Sequence, residues 1–104
     1  MPLDLEALAT LEAVVAEGGI ARAAQRLHKV PSAVSYQVSK LEQYLETPLL
    51  NREGYRVKLT PAGEALLPYA EQILVLADAG GEAARAAAGL ADRTLRLGAG
   101  HALA

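Results

Sequence analysis

Two short amphipathic helical patterns meet at residues 30 and 31, and this junction constrains the fold more than any other feature. Pro31 has no N–H to donate and disfavours helical geometry at Val30, so a preceding helix must end there. Proline is also favoured in the first turn of a helix, so a new helix can begin at the same residue. The sequence therefore predicts a helix-turn-helix, with helices over residues 20–28 and 31–46.

The second of these helices has two different faces. Apolar residues recur at the spacing of one helical stripe and are predicted to be buried: Val34, Val38, Leu41 and Leu45. The opposite face carries short hydroxyl side chains and one aromatic ring in place of long charged residues: Ser32, Ser35, Tyr36 and Ser39. Such a face can approach base edges closely and hydrogen-bond to them, so it indicates recognition of DNA.

A set of short motifs in a fixed order resembles one bacterial family. The motifs are Arg22-Ala23-Ala24, Leu27-His28, Ser35, Leu41-Glu42, Pro48-Leu49 with Arg52, and Leu59-Thr60-Pro61-Ala62-Gly63. Each fragment is weak evidence, but the ordered set is highly specific, and on it residues 3 to about 98 resemble the N-terminal part of LysR-type transcriptional regulators. The resemblance implies a mainly α winged helix-turn-helix, with three helices plus a β-hairpin wing, followed by a long linker helix that dimerises.

The chain departs from the family pattern where bases are read. Val30-Pro31-Ser32 stands where many members have Ser-Gln-Pro, and Tyr36 stands where an arginine is common. The resemblance therefore does not decide whether residues 31 and 36 contact bases.

The charge distribution supports DNA binding although the net charge is -2. Residues 19–60 hold seven basic and three acidic side chains, whereas the remainder holds three basic and nine acidic ones. Phosphate binding depends on the local sign of charge, so the first segment suits double-stranded DNA.

The wing and the linker helix are predicted after the helix-turn-helix. Glu53-Gly54 is a turn signal in a β-hairpin over residues 50–60. Thr60 can cap the next helix, with Pro61 in its first position. The resulting division is a winged domain over residues 1–60, a linker helix over 61–91 and, by resemblance, the start of a truncated effector-binding domain over 92–104, beginning with a strand at 94–98.

The linker helix is apolar over more than one face, so it needs a partner besides its own domain. We predict that a second subunit covers these residues: Leu66, Leu67, Ala70, Ile73, Leu74 and Ala77. The resemblance implies a homodimer through this helix, a possible tetramer in a full-length protein, and a small-molecule effector bound only by the missing domain. The chain is then an excised fragment, with a naturally short regulator as the alternative.

The candidate DNA contacts combine basic and polar side chains: Arg22, Lys29, Ser32, Ser35, Tyr36, Gln37, Ser39, Lys40, Arg52 and Arg56. Several have alternative roles. Lys29 could equally be a solvated charge, Ser32 could cap its helix, and Gln37 could touch the DNA backbone or nothing. The wing cations could be solvated edge charges, and Lys58 is left undecided.

Other functional classes have little support. The chain has no cysteine, and its two histidines, His28 and His101, cannot build a zinc site. It has no nucleophile elbow and no glycine-rich phosphate loop, so we predict no enzyme, no metal and no cofactor. No apolar run is long enough to span a membrane, and the composition suits the cytoplasm. The competing hypothesis is a winged-helix protein-interaction and dimerisation module without specific DNA binding.

Overall fold

The computed structural model describes residues 3–51 and 56–98, with side chains as far as residue 90. The elements are α1 (Leu5–Glu17), α2 (Ile20–Leu27), α3 (Pro31–Leu45), β1 (Leu50–Asn51), β2 (Lys58–Leu59) and α4 (Pro61–Gly98). The predicted architecture of three helices, a two-stranded wing and a long helix is therefore confirmed. Arg52 and the predicted turn at Glu53-Gly54 lie outside the described residues.

Local signals set the ends of the first three helices. The Asp4 carboxylate accepts a hydrogen bond from the backbone N–H of Ala7 at 2.8 Å and so caps α1. Gly18, with a φ of 81°, ends α1 in the left-handed conformation that favours glycine. Val30 is the N-cap of α3 and makes no side-chain cap, so Ser32, for which capping was one of two alternatives, does not cap α3. With Pro31 in the first turn, Ser32 already lies inside the helix.

The helices α1, α2 and α3 pack around one apolar core. The predicted stripe on α3 is confirmed, because Val34, Val38 and Leu41 are buried and Leu45 packs against them while half-buried. The facing side chains are small on α2 and large on α1, which lets the helices approach closely: Ala23, Ala24, Leu8, Leu11 and Val14.

The wing and the start of α4 are tied to α3. β1 and β2 pair antiparallel, with Leu50 opposite Leu59 and Asn51 opposite Lys58. The Glu42 carboxylate accepts hydrogen bonds from the backbone N–H groups that lead into β1, at 2.7 and 3.2 Å. The Thr60 hydroxyl accepts from the N–H of Gly63 at 3.1 Å, so its predicted cap is confirmed.

α4 is longer than predicted. It continues to Gly98, so the strand predicted at residues 94–98 and the helix end predicted near residue 91 are wrong. Alanine, leucine and arginine dominate residues 82–98, and their helix propensity is high. The described residues form two compact units, one that ends at Leu74 and one that begins at Val75. Among the described helices, none has the length and apolarity needed to cross a membrane.

Candidate nucleic-acid interface

The exposed face of α3 carries the predicted reading side chains. Ser32 and Tyr36 are exposed, and Ser35 and Ser39 are half-buried. Tyr36 is 64% exposed although it is a large aromatic residue. The buried stripe fixes this face outward because a helix cannot rotate without taking Val34 and Val38 out of the core. Hydroxyl groups and one ring are therefore presented to the solvent on a supported helix.

Lys40 lies one helical turn after Tyr36 and contacts its ring. The Nζ atom of Lys40 is 5.5 Å from the centroid of the Tyr36 ring. At this distance the ammonium group is attracted to the negative face of the ring. The two side chains that sequence analysis assigned separately to DNA contact thus form a pair.

Lys29 and Gln37 belong to a polar network with α1. The Lys29 ammonium pairs with the Glu6 carboxylate and lies 3.5 Å from the amide oxygen of Gln37. The Gln37 amide oxygen also contacts the hydroxyl of Thr10. Thr10 is 1% exposed, and its hydroxyl lies 2.9 Å from the carbonyl oxygen of Glu6. Lys29 is therefore neither free nor simply solvated, and Gln37 anchors α3 on α1.

Sequence analysis missed the α1 members of this network, Glu6 and Thr10. Thr10 did carry a signal, because it is a polar residue between Leu8 and Leu11 of the buried face. A buried hydroxyl needs a hydrogen-bonding partner, but the sequence did not identify Gln37 as that partner.

Three arginines of the domain differ in their surroundings. Arg26 pairs with Glu12 at 3.1 Å and with Glu17 at 3.6 Å, so its charge is partly neutralised within the domain. Arg22 and Arg56 instead line one cleft together with Glu17 and Gly18. Within residues 3–51 and 56–90, no acidic side chain forms an ion pair with either of these arginines. Their guanidinium groups are available for an external anion.

The predicted dimerisation residues do not share one exposed surface. Ala70 is fully buried within the chain, so its prediction as a subunit contact is wrong. It lies at helical spacing from Gly63 and Leu66, of which Gly63 is buried and Leu66 packs against the core. Leu67, Leu74 and Ala77 are half-buried, and Ile73 is 41% exposed.

Large apolar side chains on α4 that sequence analysis left out are more exposed than those it named. Tyr69 and Val75 are each 65% exposed, and Leu76 is 69% exposed. Tyr69, Ile73 and Leu76 follow the spacing of one helical stripe. We call these three residues the α4 stripe.

Metal ligands are not grouped in the described part of the chain. Among those residues, no three histidine, cysteine, aspartate or glutamate side chains come together in a way that could hold a metal ion. His28 is the C-cap of α2 and has a φ of 57°.

Comparison with protein families gives a match over most of the described domain. Residues 5–64 match the profile described as "Bacterial regulatory helix-turn-helix protein, lysR family". The matched segment spans α1 to the first turn of α4, and therefore includes the helix-turn-helix and the wing.

Curated relatives are similar over the same part of the chain. A probable RuBisCO transcriptional regulator of Nostoc sp. is 46% identical over 76 residues, which are 73% of this chain and 23% of that protein. The HTH-type transcriptional regulator YhaJ of Escherichia coli O157:H7 is 43% identical over 76 residues, covering 73% and 26%. The chain thus spans about a quarter of the length of these relatives.

Solved structures with the same fold include complexes with DNA. The CbnR DBD in its DNA complex has a TM-score of 0.77 and 38% identity, covering 83% of this chain and 99% of that one. The BenM DBD in complex with catB site 1 DNA has a TM-score of 0.80 and 31% identity, covering 83% and 97%.

Proposed function

Because the chain belongs to the lysR family of bacterial regulatory helix-turn-helix proteins, we propose that it is the DNA-binding and dimerisation portion of a transcriptional regulator. In this proposal α3 enters the major groove of double-stranded DNA. The observation that carries it is the hydroxyl-rich face of α3, held outward by its buried stripe, on the same domain as Arg22 and Arg56, which form no ion pair within residues 3–51 and 56–90.

Base reading is assigned to the exposed face of α3. Ser32, Ser35 and Tyr36 have short or flat side chains that can hydrogen-bond to base edges or contact a thymine methyl group. Ser39 lies one helical turn after Ser35 on α3, and we assign it to a contact with the DNA backbone. Gln37 contributes by holding α3 on α1 through Thr10.

Phosphate binding is assigned to the basic side chains around that face. Arg22, Lys40 and Arg56 have no ion pair within the described residues, and Arg52 joins them by its position in the wing sequence. Lys29 binds a phosphate when its ammonium group leaves the Glu6 carboxylate. These contacts supply most of the affinity and little of the sequence preference.

Dimerisation is assigned to α4. A stripe of large exposed apolar residues on a long helix is stabilised when a second copy covers it. Two copies related by a two-fold axis would read an inverted repeat, with half-sites separated by one or more helical turns of DNA, roughly 34 Å each. A full-length protein would add a small-molecule effector through a further domain and could assemble as a tetramer, acting in the cytoplasm.

Selection of duplexes from a random DNA pool at near-physiological salt tests the DNA-binding proposal. We expect enrichment of an inverted repeat by the wild-type protein and loss of that enrichment in Ser35→Ala combined with Tyr36→Ala. A folded dimer that enriches no motif would refute sequence-specific binding and favour the protein-interaction module.

Sedimentation tests the α4 stripe separately. Leu76→Ser should shift the protein from dimer toward monomer, because it removes an apolar contact at the subunit interface. Tyr44→Ser is the matched control, since Tyr44 is an exposed residue of α3, at 52% exposure, outside α4. Equal dimer fractions in both variants would refute the assignment of the stripe.

A further inference from the structure

We propose that Tyr36 and Lys40 read the operator as one unit, in which Lys40 is a positioning residue that orients the Tyr36 ring against a thymine-containing base pair. This inference rests on the proposed DNA-binding function and deepens it. It concerns position 36, where the sequence alone left the base contact of the tyrosine open.

The contacts of the two side chains support the pairing. Lys40 Nζ lies 5.5 Å from the centroid of the Tyr36 ring, and the ring is 64% exposed. Within residues 3–51 and 56–90, no protein group hydrogen-bonds to the Tyr36 hydroxyl or forms an ion pair with Lys40. The Lys40 ammonium is therefore the polar group that orients the ring in the free protein.

The geometry leaves part of the ring for DNA. A cation over an aromatic ring occupies one face, because the negative charge of the π-system lies on the faces and the edge is positive. The second face and the hydroxyl edge then stay accessible. A thymine offers a methyl group for the ring and the O4 acceptor for the phenol hydroxyl, which donates the hydrogen bond.

The pairing lowers the cost of binding. An exposed tyrosine that samples several rotamers must be immobilised when it meets a base, and this ordering weakens the contact. A ring already held by Lys40 loses less freedom. Besides attracting a phosphate, Lys40 therefore acts on base preference through Tyr36. A lysine that binds only phosphate strengthens binding to every sequence alike.

Four variants separate these two roles. Lys40→Met keeps the apolar stem and removes the charge, and Lys40→Arg keeps a cation over the ring. Tyr36→Leu removes the ring. The base pair that Tyr36 reads is then the position of the selected motif at which this variant no longer prefers one base pair. Lys58→Met is the matched control, because Lys58 is an exposed lysine of the wing and has no ring contact among the described residues.

Affinities are measured for the selected duplex and for duplexes changed at that single base pair. We expect Lys40→Met to reduce discrimination there by about two- to fivefold, which corresponds to an exposed cation–π contact. Lys40→Arg should retain the discrimination, and Lys58→Met should leave the discrimination at its wild-type value. Lys40→Met should cause no further loss of discrimination in the Tyr36→Leu background.

Three results would overturn the proposal. One is a uniform loss of affinity in Lys40→Met with unchanged discrimination. Another is a Tyr36→Leu variant with the wild-type motif. A wild-type protein that selects no motif would overturn the DNA-binding function as well, so the two failures are distinguishable.

Discussion

Gly63 lies in the first turn of α4, where the helix meets Leu49, the residue before β1. A β-carbon added at Gly63 would overlap the carbonyl oxygen of Leu49 and lie 2.7 Å from Cδ2 of Leu59. The carbonyl cannot move freely, because it accepts a hydrogen bond from the N–H of Thr60 at 3.0 Å. Leu49 itself is fully buried. We therefore predict that Gly63→Ala destabilises the domain.

The magnitude follows from opposing terms. Overpacking costs about 1–3 kcal/mol, and a lost backbone hydrogen bond costs about 1 kcal/mol. Alanine gains at most about 1 kcal/mol over glycine in helix propensity. The net loss is about 2 kcal/mol, which lowers the melting temperature of a domain of this size by about 10 °C.

Thermal unfolding followed by circular dichroism at 222 nm measures this loss. Gly80→Ala is the matched control, because Gly80 lies in the same helix and an added β-carbon would meet no atom within 4 Å. The control should melt at or above the wild-type temperature. A Gly63→Ala protein that also melts at or above that temperature would refute the steric argument.

Three further predictions concern the polar network and the phosphate contacts. Glu6→Gln should raise DNA affinity about two- to threefold at low salt by releasing Lys29 from an exposed ion pair. Glu71→Gln on α4 is the control, and an increase in DNA affinity no larger than in that variant would contradict this prediction. Arg56→Ala should weaken specific and random duplexes alike and reduce the salt dependence of binding by about one unit of slope; a loss confined to one sequence would count against a phosphate contact. Thr10→Val should lower the free energy of unfolding by about 1–2 kcal/mol in urea, because it removes a buried hydrogen-bonding group, and an unchanged urea midpoint would show that the hydroxyl contributes nothing.

The local structure of the helix-turn-helix could be predicted because its signals act between residues close in sequence. Pro31 can end one helix and begin the next through its own ring and missing N–H. The spacing of Val34, Val38 and Leu41 defines a buried face within a single helix. Thr60 caps α4 with its own hydroxyl. The exposed face of α3, and with it the candidate base contacts, followed from the same periodicity.

Local composition also explains the main error at the end of α4. The strand at residues 94–98 was expected from the family resemblance, whereas Leu95, Arg96 and Leu97 and the alanines before them are good helix formers. The helix that the structure shows over Pro61–Gly98 agrees with the local preference.

The remaining features depend on which elements meet, so periodicity could not identify them. Thr10 contacts Gln37 across 27 positions of sequence, and Lys29 pairs with Glu6 across 23. Ala70 is buried because its side of α4 packs inward, although the sequence of α4 is apolar on several sides. The sequence by itself determined the helix-turn-helix, the Thr60 cap and the face of α3 that is exposed. Tertiary packing alone decided which charges are already paired and which surface of α4 remains uncovered, because both depend on neighbours distant along the chain.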